Sequence, residues 1–124
     1  VLMKPGKPTL FAKYRGKLIF ALPGNPVSCM VSFLKFVRPA ILRMRGSDQT
    51  SFAVSSAILA HPVKKLKAPV EFQRGIADKN GFVRSTGNQS SGILKSMTQA
   101  NCLIILPSGT DFIQRGTRVN IEMF

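Results

Sequence analysis

Apolar residues follow two rhythms along this chain. Val27, Met30, Val31, Leu34, Val37, Ile41 and Leu42 recur every three or four positions, the period of one helix face. Elsewhere they come in short runs closed off by Gly, Pro, Asn or Ser, which is how strands read. Before the helix the runs are Thr9 to Lys13 and Leu18 to Leu22. Tyr14-Arg15-Gly16-Lys17 separates them, and Gly16 is free to take a positive φ, so the pair reads as a hairpin or two adjacent strands. After the helix the runs are Phe52 to Leu59, Val70 to Ala77, Phe82 to Thr86, Leu103 to Leu106 and Arg118 to Phe124. Asp78-Lys79-Asn80-Gly81 is a strong hairpin turn signal. A short helix is expected from Ser90 or Ser91 to Ala100.

The punctuation between these segments is specific. Pro23 cannot donate to a sheet ladder and should end the second strand. Asn25 suits a helix N-cap, and Pro26 suits the first helical position, whose N–H has no partner in any case. Pro39 should kink or split the helix, and Gly46 should stop it. Ser47 to Ser51 is small and polar, and the composition changes after it. The reading is therefore two units: residues 1–47, a strand pair leading into a helix, and residues 48–124, a small β-barrel or sandwich.

Composition narrows the classes. The chain has 124 residues and is 44% hydrophobic, enough for a packed core and against global disorder. No apolar run approaches the ~20 residues of a membrane span. The first residues lack the order of a signal peptide and an initiator Met, so the chain reads as part of a longer or processed product. The net charge is +13, and residues 1–47 hold nine Lys or Arg and no carboxylate. Such a half has few internal partners and attracts phosphates, oxyanions or an acidic surface. Nucleic acid is the generic partner for so basic a chain. However, the cations are spread out, and with no Trp and one Tyr there is no evident stacking platform for single strands. Cys29 and Cys102 have no CxxC partner, and His61 is the single histidine. They read as buried thiols of a cytosolic protein rather than zinc ligands.

Candidate chemistry lies in four places, each with a plainer alternative. Lys4 and Lys7 stand in a loop stiffened by Pro5 and Pro8; rigidity favours presenting two ammonium groups to one anion, though both could be solvated surface lysines. Pro23, Gly24, Asn25 and Pro26, with Ser28 after them, could offer helix-terminal N–H groups and a hydroxyl to an oxyanion, or could simply turn a strand into a helix. Gln89, Ser90 and Ser91 lie in a run of small polar residues, Ser85 to Gly92, able to read a phosphate, a ribose or a heterocycle edge without charge, or to be a polar loop with a helix cap. Arg74 is either an anion clamp or an exposed strand cation. No nucleotide-binding glycine loop, nucleophile elbow or paired carboxylate is present.

Taken together, KPGKP (Lys4 to Pro8), ALPGNPVS (Ala21 to Ser28), FVRPAI (Phe36 to Ile41) and STGNQSSGILKSMTQANCLIILP (Ser85 to Pro107) resemble, in this order, the C-terminal part of the molybdopterin molybdenumtransferases. These form the MoeA family, which includes the E domain of gephyrin. The resemblance implies a fold: the end of a molybdopterin-binding α/β domain over residues 1–47, then an all-β barrel domain over 48–124. It implies a reaction in molybdenum cofactor biosynthesis, in which molybdenum from molybdate enters adenylylated molybdopterin and AMP is released with the help of Mg²⁺. It implies roles: Lys4, Pro23 and Pro26 in the catalytic machinery, and Lys7, Gly24, Asn25, Ser28, Arg74, Gln89, Ser90 and Ser91 in substrate binding, with Gln89 to Ser91 facing the cleft of a partner subunit in a homodimer. The family's acidic Mg²⁺ ligands lie N-terminal to the matched segments, so no metal ligand is assigned here. This polypeptide alone is then expected to be inactive, with exposed apolar surface on its α/β portion. The expected location is the cytoplasm, with no membrane partner. The competing reading is a basic binding or scaffolding module for nucleic acid or an acidic protein.

Overall fold

A computed structural model describes residues 3–6, 8–65, 70–86, 95–109 and 111–124. The first pattern on the chain forms β1 (Leu10–Tyr14) and β2 (Lys17–Ala21), an antiparallel pair in which Tyr14 faces Lys17. The two-residue connection puts Arg15 at φ 47° and Gly16 at φ 75°. Left-handed angles at both positions match the right-handed twist of the strands. The rings of Phe11 and Phe20 face each other across the pair at 5.2 Å, while Leu10, Phe11, Tyr14, Leu18 and Ile19 lie exposed.

The helical period becomes α1 (Pro26–Ser32), a wide turn at Phe33–Val37, and α2 (Arg38–Met44). Pro39 was expected to kink or split the helix. It is accommodated instead by widening it. Proline has no N–H for the carbonyl of Lys35, and its ring crowds that carbonyl. The Arg38 N–H reaches back five residues to the Phe33 carbonyl, the hydrogen-bond pattern of a π-turn. The helix stops as its sequence requires. Gly46 takes φ 82°, its N–H bonds the Arg43 carbonyl, and the Ser47 N–H bonds the Leu42 carbonyl, a paired arrangement that satisfies two terminal carbonyls.

Residues 47–53 carry no helix or strand. Five strands then close a barrel in the order β3 (Val54–Leu59), β6 (Phe82–Ser85), β5 (Glu71–Ala77), β7 (Cys102–Leu106) and β9 (Arg118–Met123). All pairs are antiparallel except β3 with β6. This settles the choice between barrel and sandwich. Closure gives each of these strands a neighbour on both sides. β4 (Val63–Lys64) and β8 (Phe112–Ile113) form a small separate pair, and a short helix α3 (Lys95–Gln99) precedes β7. Ala57, Leu59, Val83, Cys102, Ile104, Leu106, Val119 and Ile121 fill the barrel, with Val63 and Ile113 packed alongside them. Phe52 was expected to begin β3. It lies outside the ladder, stacked under the Arg38 guanidinium at 4.1 Å and edge-on to Phe124.

Strand alternation on β7 ties the two halves together. Cys102, Ile104 and Leu106 point into the barrel, whereas Leu103 points out and shares a second core with Met3, Val31 and Phe72. Phe36, Val70 and Ile105 flank that core. Residues expected to form two units thus bury apolar surface against each other.

The barrel wall has no room for a side chain at Gly75. An added Cβ at Gly75 would stand 2.8 Å from two atoms of Ile104 and 3.2 Å from the Cys102 sulfur. Gly75→Ala should therefore cost about 1–2 kcal/mol through overpacking, seen as a lowered urea midpoint at unchanged slope.

Candidate functional site

The Lys4 loop is fixed at several points. The Lys4 N–H donates to the Val70 carbonyl at 3.0 Å, and the Phe72 N–H donates to the Lys4 carbonyl at 2.7 Å. Lys4 therefore pairs as a parallel bridge beside Glu71 at the start of β5. Its side chain remains exposed. Gly6, at φ 117°, lets the chain pass against α1, where an added Cβ would meet Met3 Cε at 2.5 Å and Ser32 Oγ at 2.8 Å. The Thr9 N–H closes the loop onto the Gly6 carbonyl. The hydroxyls of Thr9 and Ser32, both buried, bond to each other at 2.7 Å. Lys7 lies outside the described residues.

The proline-bracketed turn starts α1. Asn25 caps the helix: its Oδ1 accepts from the N–H groups of Val27 at 3.1 Å and Ser28 at 3.3 Å. Its carbonyl accepts from the Cys29 N–H, and Pro26 has no N–H to give. The first-turn donors expected to face an oxyanion are thus already bonded to Asn25. What the turn presents is Gly24 and Pro26, both exposed, on a base formed by buried Pro23, Val27 and Ser28. Ser28 and Ser32, four residues apart, share one helix face, and Ser32 is the residue against which the Lys4 loop rests.

Arg74 corrects the reading of an exposed strand cation. It is 1% exposed, and burial pulls its guanidinium below the ordinary arginine value. It pairs with Leu103 across β5 and β7, so it lies on the outer barrel face beside Phe72. It lies on the strand whose first residues bond the Lys4 loop. The Arg74 carbonyl accepts from the Thr86 N–H, and the Gly75 carbonyl accepts from the Asn101 N–H. Thr86 and Asn101, which bracket the small polar run and α3, are thus both tied to β5. Gln89, Ser90 and Ser91 lie outside the described residues. The Lys4 backbone therefore bridges the start of β5, the strand that carries Arg74, and Ser28 lies one turn before Ser32 on α1.

The basic first half is also less free than its sequence suggests. Lys35 Nζ donates to both oxygens of Glu122 at 2.7 and 2.8 Å and lies 4.9 Å from the Phe72 ring centroid. Among the described residues no three His, Cys, Asp or Glu side chains are grouped to hold a metal ion. Glu122 is taken by Lys35, Glu71 is buried and accepts from Gln73 Nε2 at 2.8 Å, and Asp78 bonds N–H groups of its own turn. These carboxylates do not fit a magnesium site. Cys102 is sealed in the barrel, and burial pushes its thiol up to about 11, which leaves it protonated and unreactive at neutral pH. Cys29 is half-buried.

The family model of the MoeA C-terminal region (domain IV) matches residues 56–124. The chain belongs to the MoeA family. A second family model, a probable molybdopterin binding domain, matches residues 1–43. The molybdopterin molybdenumtransferase of Haemophilus influenzae is 35% identical over 129 residues, covering all of this chain and 32% of its own length. That of Staphylococcus aureus is 32% identical over 124 residues, with 98% and 30% covered. A crystal structure of the molybdopterin biosynthesis MoeA protein from Pyrococcus horikoshii superposes with a TM-score of 0.81 at 29% identity, over 99% of this chain and 31% of its own. A Pyrococcus furiosus molybdenum cofactor biosynthesis protein has the same TM-score at 24% identity, covering 99% and 43%, and shows the fold alone. The chain thus spans about a third of the length of its curated MoeA relatives. No helix among the described residues is long and apolar enough to cross a membrane.

Sequence reasoning found the Lys4 loop and the proline turn but missed what joins them. Gly6, Thr9 and Ser32 were not singled out. The available signal was Ser28 and Ser32 at four-residue spacing beside Val27 and Val31, which places small hydroxyls on a helix side that packs.

Proposed function

We propose that this chain supplies part of the site at which molybdenum from molybdate is inserted into adenylylated molybdopterin, releasing AMP, in molybdenum cofactor biosynthesis. The observation that carries the reading is the state of Lys4. Its ammonium is exposed while the backbone on both sides of it is bonded to β5 or docked on α1. A cation held in place on a fixed loop meets an incoming dianion with little reorganisation, and preorganised charge of this kind stabilises charge that shifts during reaction. The exposed Gly24–Pro26 turn borders the same helix and would shape the pocket by contact rather than by donating N–H groups. Pro23 and Ser28, buried beneath it, would hold that contact surface in place. Arg74, buried on the strand that the Lys4 backbone bridges, is assigned to substrate binding by resemblance to the family. Lys7, Gln89, Ser90 and Ser91 complete the proposed substrate contacts by resemblance to the family.

Magnesium, where the family's reaction uses it, would be held by residues other than the described carboxylates of this chain. The same reading makes the working protein a cytoplasmic homodimer and this third of it inactive by itself. The test is a chimera in which this chain replaces the matching third of the Haemophilus influenzae relative. It should form molybdenum cofactor from molybdate and adenylylated molybdopterin. Lys4→Ala in that chimera should lower kcat/KM for molybdate by about 1–3 kcal/mol, the worth of a hydrogen bond from a charged group. A chimera that folds and forms no cofactor would overturn the reading, and turnover indifferent to Lys4→Ala would remove Lys4 from it.

A further inference from the structure

We propose that the buried Thr9–Ser32 hydroxyl pair positions the Lys4 loop for oxyanion binding, so that Thr9 and Ser32 are positioning residues of the site although neither reaches the substrate. The inference rests on the reading of Lys4 given above and adds what holds Lys4 there. Ser32 is fully buried and Thr9 nearly so. Their 2.7 Å bond joins residues 23 apart in sequence. Among the described residues it is a side-chain hydrogen bond that fastens the loop to α1. On the other side the loop is fastened to β5 through the backbone of Lys4. Between these anchors Gly6 passes so close to Ser32 that no side chain fits. Lys4 is therefore suspended between a helix that begins at the Pro23–Pro26 turn and a strand that carries Arg74. Removing one hydroxyl leaves its partner buried and unbonded, a penalty the loop can escape by lifting away from α1. The ammonium would then be presented from a range of positions, and binding would weaken without any change in the binding group.

The experiment is isothermal titration of the same chimera, carrying this chain and its variants, with sodium molybdate. Thr9→Val, which keeps the shape and loses the hydroxyl, should raise Kd about fivefold, the factor set by one buried hydrogen bond. Thr9→Ser, which keeps the hydroxyl, should restore most of the lost affinity. Hydrogen exchange at the Phe72 amide, bonded to the Lys4 carbonyl, should quicken in Thr9→Val and not in Thr9→Ser. If Thr9 acts through Lys4, the Lys4→Ala/Thr9→Val double variant should bind no more weakly than Lys4→Ala alone. Multiplying penalties would overturn the proposal. So would an unchanged Kd in Thr9→Val when Lys4→Ala weakens binding. If Lys4→Ala itself has no effect, the underlying reading of Lys4 fails instead. Should Thr9→Val not fold, Ser32→Ala removes the same bond from the helix side and carries the same expectations.

Discussion

Gly6→Ala is expected to destabilise the chain by about 2–4 kcal/mol, the sum of backbone strain and overpacking. The strain arises because Gly6 sits at φ 117°, a region that a side chain makes costly and glycine enters freely. The overpacking arises because the new methyl would stand 2.5 Å from Met3 Cε and 2.8 Å from Ser32 Oγ. The end of Met3 can swing aside, although it leaves the core it shares with Val31, Phe72 and Leu103. Ser32 Oγ cannot move without losing its bond to Thr9. Gly16→Ala separates the two contributions. Gly16 also has a positive φ, 75°, but nothing lies within 4 Å of an added Cβ, so it should show strain alone, about 1 kcal/mol. Urea denaturation of both variants gives the comparison. Equal losses would mean that the Lys4 loop is not pressed against α1, and the positioning role of Thr9 and Ser32 would lose its structural basis.

Local rules of sequence were legible where one short segment decides the outcome. Asn25 and Pro26 announce a helix start because cap and first turn lie within four residues of each other, and both occupy those places. Gly46 ends the helix and Asp78 to Gly81 turn β5 into β6 for the same reason. Events decided by distant residues were not legible. β4 and β8 are two residues long and exist because Val63 and Ile113, 50 positions apart, pair with each other. Arg74 in a stretch reading Glu-Phe-Gln-Arg-Gly looks solvated. It is buried because β5 is covered inside by the barrel and outside by α1, which carries Val31, and the segment that carries Met3. The Pro23–Pro26 turn shows both cases at once. Its geometry followed from the residues, but its expected use of free N–H donors did not survive the cap that makes the geometry possible. The same side chain that starts the helix consumes the groups an anion would need.

The other large effect is expected at the bond between the two halves. Lys35→Met should cost about 2–3 kcal/mol, below the full penalty for orphaning a buried charge because water reaches Glu122 from the partly exposed side that Lys35 occupies. The contact traces back to Pro39. Its missing N–H widens the helix at Phe33–Val37, and Lys35 lies in that widened turn, with its ammonium on both Glu122 oxygens and near Phe72. The Glu122 side chain is 8% exposed and that of Lys35 23%. Methionine keeps the stem packing and removes the charge, so the loss reads the orphaned carboxylate rather than a cavity. The effect should be lopsided. Glu122→Gln leaves an ammonium with access to water, and the amide oxygen still accepts, so it should cost about half as much. Lys35→Met/Glu122→Leu should recover most of the stability, because an apolar pair in place of a buried ion pair is often neutral. A surface bridge would behave otherwise. Arg43 and Asp48, 3.8 Å apart and both exposed, should give less than about 1 kcal/mol when either is replaced. Double-mutant cycles on the two pairs by chemical denaturation make the comparison. If the Lys35–Glu122 coupling proves as small as that of Arg43–Asp48, the helix is not fastened to β9 by this contact, and the association of the halves rests on the Met3, Val31, Phe72 and Leu103 core together with the backbone bonds of Lys4 to β5 and the Arg38–Phe52 stacking.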